Sequence, residues 1–414
     1  MNNDCYKREA CRLCGGTSLV LVIALTPSPP ANAFVPPEEV GHMQKVYPLD
    51  VYFCKSCGHV QLLDVVDPDQ LFSKYVYVSG TSPVFVKHFN AYAKDVIERY
   101  KLKPESLVVD IGSNDGTFLR NFYEAGFRTI GVDPAEKIAG AASMEGIETI
   151  VAFFNKKISE KIKVKYGKAS IITANNVFAH ADNLVEFLEG ASYLLDDKGV
   201  FLFEVSYFLD VLEKTLFDSI YHEHLAYHTL KPLVRFLYEN GFEMINVQRT
   251  NAHGGSLRCA AQLVGGSWIV ERTVEDLIIE EEQKAIHSLK TLSSFEKKIS
   301  VIKKQVSNLL RELKQQGKVV AGFGAPAKST TLMYHFGIGV DTVHFIVDDS
   351  PLKQGLYSPG LHIPIVGSDE LRIRKPDYLI IFAWNFADSI IANNSAYSAG
   401  GGKFIVPLPK LRVI

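Results

Sequence analysis

The chain has 414 residues, 47% of them hydrophobic and 22% charged, with a formal net charge of −2. This length suits two or three domains, and the apolar content is enough for real cores, which excludes a disordered chain. The near-neutral balance excludes a broad basic field, so nucleic acid is not an expected partner.

The N-terminal segment opens on Cys11-Arg-Leu-Cys14-Gly-Gly and closes on Cys54-Lys-Ser-Cys57-Gly-His. Four thiolates from two such turns make a closed tetrahedral zinc site, so Cys11, Cys14, Cys54 and Cys57 are the expected metal ligands, in a structural role. The alternatives are unpaired cytosolic thiols or a redox pair. His59 beside the second knuckle reads as a neighbour, and Cys5 and Cys259 as ordinary thiols. Six cysteines in a chain this long do not suggest a disulfide framework. Between the knuckles, a Pro-rich stretch and short apolar runs predict a few strands and loops. The longest early apolar run, Leu19 to Leu25, is too short to span a bilayer. It follows cysteines and charges without a small-residue cleavage site, so no signal peptide is expected and the protein reads as cytoplasmic.

Residues 82–99 predict an amphipathic helix, with Phe85, His88, Phe89, Tyr92 and Val96 on one face. Next come an apolar strand ending at Asp110, the turn Gly112-Ser-Asn-Asp-Gly116, and a helix. Gly112 and Gly116 are expected to let the backbone approach a ligand. A second strand ends at Asp133, an acid placed to accept from ribose hydroxyls. The loop lacks the Gly-x-Gly-x-x-Gly spacing that admits a pyrophosphate. It resembles instead the Asp-x-Gly-x-x-x-Gly pattern of class I S-adenosylmethionine-dependent methyltransferases. A fourth strand, Ala169 to Asn175, leads to Asn176 and His180. Under that resemblance both face the reaction centre; the other reading of His180 is a helix-cap or core histidine.

A buried strand, Gly199 to Val205, precedes Asp218-Ser-Ile-Tyr221-His222-Glu223-His224-Leu-Ala-Tyr227-His228. Three histidines, two tyrosines and two carboxylates after a strand end suggest proton abstraction by a tuned side chain. The other reading is a polar surface loop.

Residues 275–316 predict one long helix with an apolar stripe through Leu292, Phe295, Ile299, Ile302, Val306 and Leu313. A strand then enters Gly322-Phe-Gly324-Ala325-Pro-Ala-Lys328, an anion-binding arrangement in which Lys328 neutralises a phosphate. Its glycine-to-lysine spacing is not that of a Walker loop, and it lacks the dinucleotide spacing of a dehydrogenase. Asp348 at a strand end and Lys353 in the following turn are candidates for reading a nucleotide. The strand from Asp377 supports a second Rossmann-like sheet.

In this order the knuckles, the Asp110–Gly116 loop, the Tyr221–His224 segment and the Gly322–Lys328 loop resemble the sugar C-methyltransferase family. Tyr75-Val-Tyr77-Val-Ser79 and His253-Gly-Gly-Ser-Leu-Arg258 extend the resemblance over essentially the whole chain. It implies a zinc-binding domain over 1–72, a class I α/β methyltransferase domain over 73–272, and a Rossmann-like substrate domain over 273–414. It implies that Tyr75, Tyr77, Ser79, Asp110, Gly112, Asn114, Gly116, Asp133 and Asn176 hold S-adenosylmethionine. Gly324, Ala325, Lys328, Asp348 and Lys353 would hold a nucleotide-linked keto sugar, thymidine- or guanosine-diphosphate-linked. The alternative for the last domain is a degenerate Rossmann fold kept for dimerisation, and a monomer and a homodimer both fit the sequence. His224 is the implied base, with Tyr221, Glu223 and His180 beside it. Tyr221 would steady an oxyanion or relay a proton, and Glu223 would orient the histidine or bind a sugar hydroxyl. The expected reaction is methylation at C-3 of a 4-keto-6-deoxy sugar through an enolate. The alternatives are O- or N-methylation of another small molecule, and a non-catalytic zinc scaffold.

Overall fold

The computed structural model describes residues 4–73, 75, 78–81 and 83–414, so the expectation at Tyr77 lies outside the described residues. The inter-knuckle segment forms strands, as its apolar runs require. Leu19–Ser28 pairs antiparallel with Tyr47–Cys54, which pairs with Val60–Leu62. Tyr47, Leu49, Val51 and Phe53 alternate inward, the period of a half-buried strand. The fourth strand of this sheet, Ala226–Tyr227, comes from the histidine-rich segment and pairs with Val60–Leu62. Cys5–Lys7 and Asp64–Val66 make a separate ribbon.

The middle sheet has seven strands: Leu107–Ile111, Arg128–Asp133, Thr149–Val151, Ala169–Asn175, Leu195–Ser206, Phe242–Thr250 and Ser256–Leu263. Numbered in that order they lie 3-2-1-4-5-7-6. The first five are parallel, and Ser256–Leu263 runs antiparallel to both of its neighbours. Every residue of Leu107–Ile111 is buried, as a parallel strand covered on both faces requires. The direction of winding reverses between Leu107–Ile111 and Ala169–Asn175. A crevice opens at the carboxyl ends of strands at such a switch point.

The C-terminal sheet runs Ile365–Val366, Ile346–Val347, Val320–Phe323, Tyr378–Ile381, Lys403–Val406, Arg412–Val413. It is parallel except for the last strand. The expected second Rossmann-like sheet is therefore present.

The single long helix expected over 275–316 is two helices, Arg272–Gln283 and Leu289–Gln315. Ala285 turns left-handed (φ 48°), and the Ser288 side chain caps the second helix by accepting from Thr291 N at 3.1 Å. A three-and-four apolar count reads straight through such a cap. Leu292, Phe295, Ile299, Ile302, Val306, Leu310 and Leu313 are buried in one core with the zinc-domain sheet and the C-terminal sheet. Among the described residues no helix is long and apolar enough to cross a membrane. Leu292 is fully buried in that shared core. Leu292→Ala is expected to cost about 2–5 kcal/mol of unfolding free energy. Urea titration checks this, and a loss under 1 kcal/mol would contradict the shared core.

Candidate active site

The two knuckles bring Cys11, Cys14, Cys54 and Cys57 together with all four sulfurs within 4.8 Å of one another. Cys11 Sγ lies 3.7 Å from Cys57 Sγ, and Cys14 Sγ 3.6 Å from Cys54 Sγ. Tetrahedral zinc with bonds of about 2.3 Å sets sulfurs about 3.8 Å apart. The four thiols therefore fit zinc, and no open position is left for chemistry. His59 is buried against the ring of His228 and is not among the clustered ligands.

At the switch point the glycine turn folds sharply. Gly112 has φ +69°, and a Cβ there would come within 2.2 Å of Val177 Cγ2. Asp133 accepts from Asn114 N at 2.9 Å and from Ala135 N at 2.8 Å. Each carboxylate oxygen keeps a second acceptor site for a ribose hydroxyl. Ser79 N donates to Asn114 Oδ1 at 2.9 Å and Gly80 N to Asp115 Oδ2 at 2.8 Å, so residues 79–81 strap the turn. Asp110 accepts from the Thr173 hydroxyl at 2.6 Å, and burial pushes its carboxyl up to about 7. Asn175 faces the same cleft, and neither of its amide atoms has a hydrogen-bond partner among the described residues. This donor and acceptor set fits an adenosyl cofactor. Tyr75, Ser79, Asp110, Gly112, Asn114, Asp133 and Asn176 all line the cleft. Gly116 does not: it begins the next helix, and a Cβ there would meet Ile147. Its glycine serves packing rather than close approach to a ligand.

A short helix, Phe208–Lys214, separates the long strand from the histidine-rich segment, which returns over the cleft. His224 Nδ1 lies 2.7 Å from Ser219 O. A carbonyl oxygen only accepts, so Nδ1 carries the hydrogen; in the neutral ring that leaves the lone pair on Nε2, the tautomer a base needs. The His224 ring stacks on His180 at 5.1 Å and lies 4.0 Å from the Tyr221 ring. Phe72 stacks on His180 at 5.6 Å. All four rings line the cleft. Burial pushes His222 down to about 4 and His228 down to about 3. Neither lines the cleft, and both are neutral near pH 7.

Glu223, expected beside His224 as its orienter or as a sugar ligand, does not line the cleft and has other partners. It is buried, and its carboxyl accepts from Asn32 Nδ2 at 2.8 Å and Tyr75 Oη at 3.2 Å. The Ser219 carbonyl, not Glu223, holds the His224 Nδ1 hydrogen. Sequence gave no signal for Ser219, whose contribution is backbone, nor for Asn32 and Phe72, which arrive from the zinc domain.

From the C-terminal domain, Lys328 and Lys353 reach the cleft. Lys328 Nζ lies 2.6 Å from Asn385 Oδ1 and 4.4 Å above the Trp384 ring; burial lowers its pKa, against the pull of Asp218. Gly324, Ala325 and Asp348 do not line it. Gly324 N bonds Val347 O, and Ala325 N bonds Asp348 Oδ2 at 2.6 Å, so these residues brace the turn that presents Lys328.

A 3-2-1-4-5-7-6 sheet opening on such a turn is the architecture of class I methyltransferases, and this chain is a methyltransferase that uses S-adenosylmethionine. Family models agree along its length: a putative zinc binding domain over 11–72, a methyltransferase domain over 85–247, and a C-methyltransferase C-terminal domain over 251–409. The last begins before Ser256–Leu263, which completes the middle sheet. C-methyltransferase NovU of Streptomyces niveus is 35% identical over 98% of this chain and 97% of its own. The chain belongs to the C-methyltransferase family. Among solved structures, magnesium protoporphyrin IX methyltransferase of Synechocystis PCC 6803 with bound SAH matches 42% of this chain and 82% of its own, at 18% identity and TM-score 0.34. The plantazolicin methyltransferase BpumL matches 44% and 86%, at 14% identity and TM-score 0.35. Scores this low carry no argument about chemistry.

Burial holds the Glu223 carboxyl up to about 7, against Asn32 and Tyr75, which favour its charged form. An unfolded glutamate ionises near its ordinary 4.5. Between those values the unfolded chain has lost a proton that the folded chain keeps, so stability falls as pH rises through the window. In Glu223→Gln that titration is gone. The unfolding free energy of the variant relative to wild type is expected to improve by on the order of 3 kcal/mol from pH 4.5 to 7. A pH-independent difference would refute the buried, neutral-leaning acid.

Proposed function

We propose that the protein methylates carbon C-3 of a nucleotide-linked 4-keto-6-deoxy sugar. The observation that carries this reading is a single cavity of about 1180 Å³. It runs from the Gly112 turn, past His180, Tyr221 and His224, to Lys328 and Lys353. Charge is divided along it. Asp67, Asp69, Asp115, Asp133 and Glu186 line it from the first two domains, besides Asp110, which burial pushes toward neutrality, and Asp182, which Arg8 and Arg12 pair; its lysines both come from the third. The acidic part suits a cationic methyl donor, and the two lysines suit a diphosphate.

S-adenosylmethionine, when bound, supplies an electrophilic methyl group. Carbon becomes a nucleophile only after loss of a proton α to a carbonyl. His224 Nε2, with its lone pair fixed by the Nδ1 contact to Ser219, takes that proton. Tyr221 donates to the oxygen that gains charge. The enolate carbon forms the new bond to methyl as the sulfonium bond breaks, and His224 returns its proton to solvent. Membership in a C-methyltransferase family supports carbon over oxygen or nitrogen as the acceptor. The substrate position, the sugar and the placement of the nucleotide on Lys328 and Lys353 belong to this proposal.

The test is incubation with S-adenosylmethionine and a thymidine- or guanosine-diphosphate-linked 4-keto-6-deoxyhexose in deuterium oxide, read by mass spectrometry and NMR. One methyl on C-3 is expected. A methyl on oxygen or nitrogen overturns the reading. His224→Asn should lower turnover at least ~100-fold and deuterium wash-in with it, while S-adenosylmethionine affinity by calorimetry stays within about threefold. Lys328→Ala and Lys353→Ala should each raise KM for the sugar nucleotide about tenfold or more.

A further inference from the structure

Arg12 lies between the two cysteines of the first knuckle and is 4% exposed, deep burial for a charged side chain. Its Nε donates to Asp182 Oδ1 at 3.1 Å, and its second terminal nitrogen lies 3.0 Å from the same oxygen. The other terminal nitrogen donates to Gln61 Oε1 at 3.1 Å, to Leu225 O at 3.3 Å and to Leu62 O. Its backbone N donates to Gln61 Oε1 at 3.0 Å. Asp182 also takes Arg8 at 3.0 Å and the Tyr6 hydroxyl. A buried guanidinium is retained only where several acceptors meet its planar fork.

What the fork joins is informative. Asp182 lies two residues after His180, and Leu225 follows His224. Ala179 O accepts from Leu225 N at 3.0 Å and Ala226 N at 3.2 Å, so the two segments are also bound to each other. Cys11, Leu13 and Cys54 pack into the core of the methyltransferase sheet. One side chain, anchored at both flanks by zinc ligands, thus touches the segments that carry both stacked histidines.

We propose that Arg12 is a positioning residue for methyl transfer. The zinc-held knuckle sets, through its guanidinium, the spacing of His180 and His224 and the Ser219-bound tautomer of His224. The zinc domain then acts on the chemistry without supplying a group to it. The proposal deepens the reading of His224 as base and rests on it only for its kinetic consequence.

The test uses the full-length zinc-loaded protein labelled with 15N-histidine. The His180 and His224 ring signals are assigned by their loss in His180→Asn and His224→Asn. Arg12→Lys keeps a cation but not the fork. It should retain zinc by metal analysis and bind S-adenosylmethionine within about threefold. Its His224 signals should move from the Nδ1-hydrogen tautomer toward a mixture. Turnover of the keto-sugar nucleotide should fall on the order of tenfold to a hundredfold, in kcat rather than KM. Asp182→Asn removes the charge from the same contact without touching the knuckle, and serves if Arg12→Lys does not fold. It should give the same signal changes, and the double variant should be no worse than the worse single one. Unchanged His180 and His224 signals in a folded, zinc-loaded Arg12→Lys or Asp182→Asn overturn the proposal. Active His224→Asn would instead overturn the assignment of the base and leave the histidine signals as an independent test of Arg12.

Discussion

Parallel pairing of Leu107–Ile111 with Ala169–Asn175 is the constraint on which the site depends. The chain leaves these two neighbouring strands in opposite directions, so the turns at 112–116 and 176–183 part and leave a crevice. Only glycine fits at position 112, because Val177, from the other turn, fills the space where a side chain would lie. The cofactor turn and the His180 turn are therefore one packed unit. The histidine-rich segment closes over it, and the C-terminal domain adds the far wall.

Burial sorts the ionisable groups in and around this site. Asp110 and Glu223 are buried acids whose carboxyls burial pushes toward neutrality. His222 and His228 are buried bases that burial keeps neutral. His224 differs in being at the cleft wall, with one nitrogen committed to a carbonyl. Three histidines in seven residues thus have separate fates, decided by which side of the segment meets the cleft. Burial lowers the pKa of Lys328 and Asp218 opposes the shift, while Asn385 and the Trp384 face also contact its ammonium.

Much of this was legible in the sequence. Paired cysteines, a glycine turn after an apolar strand and an acid after the next strand are local patterns, and each describes its own neighbourhood. Lys328 and Lys353 were legible for the same reason, since each sits a fixed distance beyond a strand end. Gly116 shows where local reading stops: the pattern puts a glycine there, but what a side chain would meet is Ile147, some thirty residues away. Ser219 contributes a carbonyl, and every residue has one, so no residue type announces it. Asn32, Phe72 and Arg12 act across domain boundaries, where contact is set by how sheets dock. The break at Ala285 is not legible in the sequence, because hydrophobic spacing carries on in phase across the cap at Ser288.

The borrowed strand has a consequence for synthesis. Val60–Leu62 has its hydrogen-bonding edge covered by Ala226–Tyr227, which lies about 165 residues later in the chain. At ribosomal rates that interval lasts roughly 10–30 s. For that time the newly made zinc sheet presents a bare apolar edge, the feature that templates pairing with other chains. The nascent protein therefore passes through a stage in which its earliest sheet is open, and it closes only when the segment bearing His224 has left the ribosome. The cap on the first sheet and the reactive histidine arrive together.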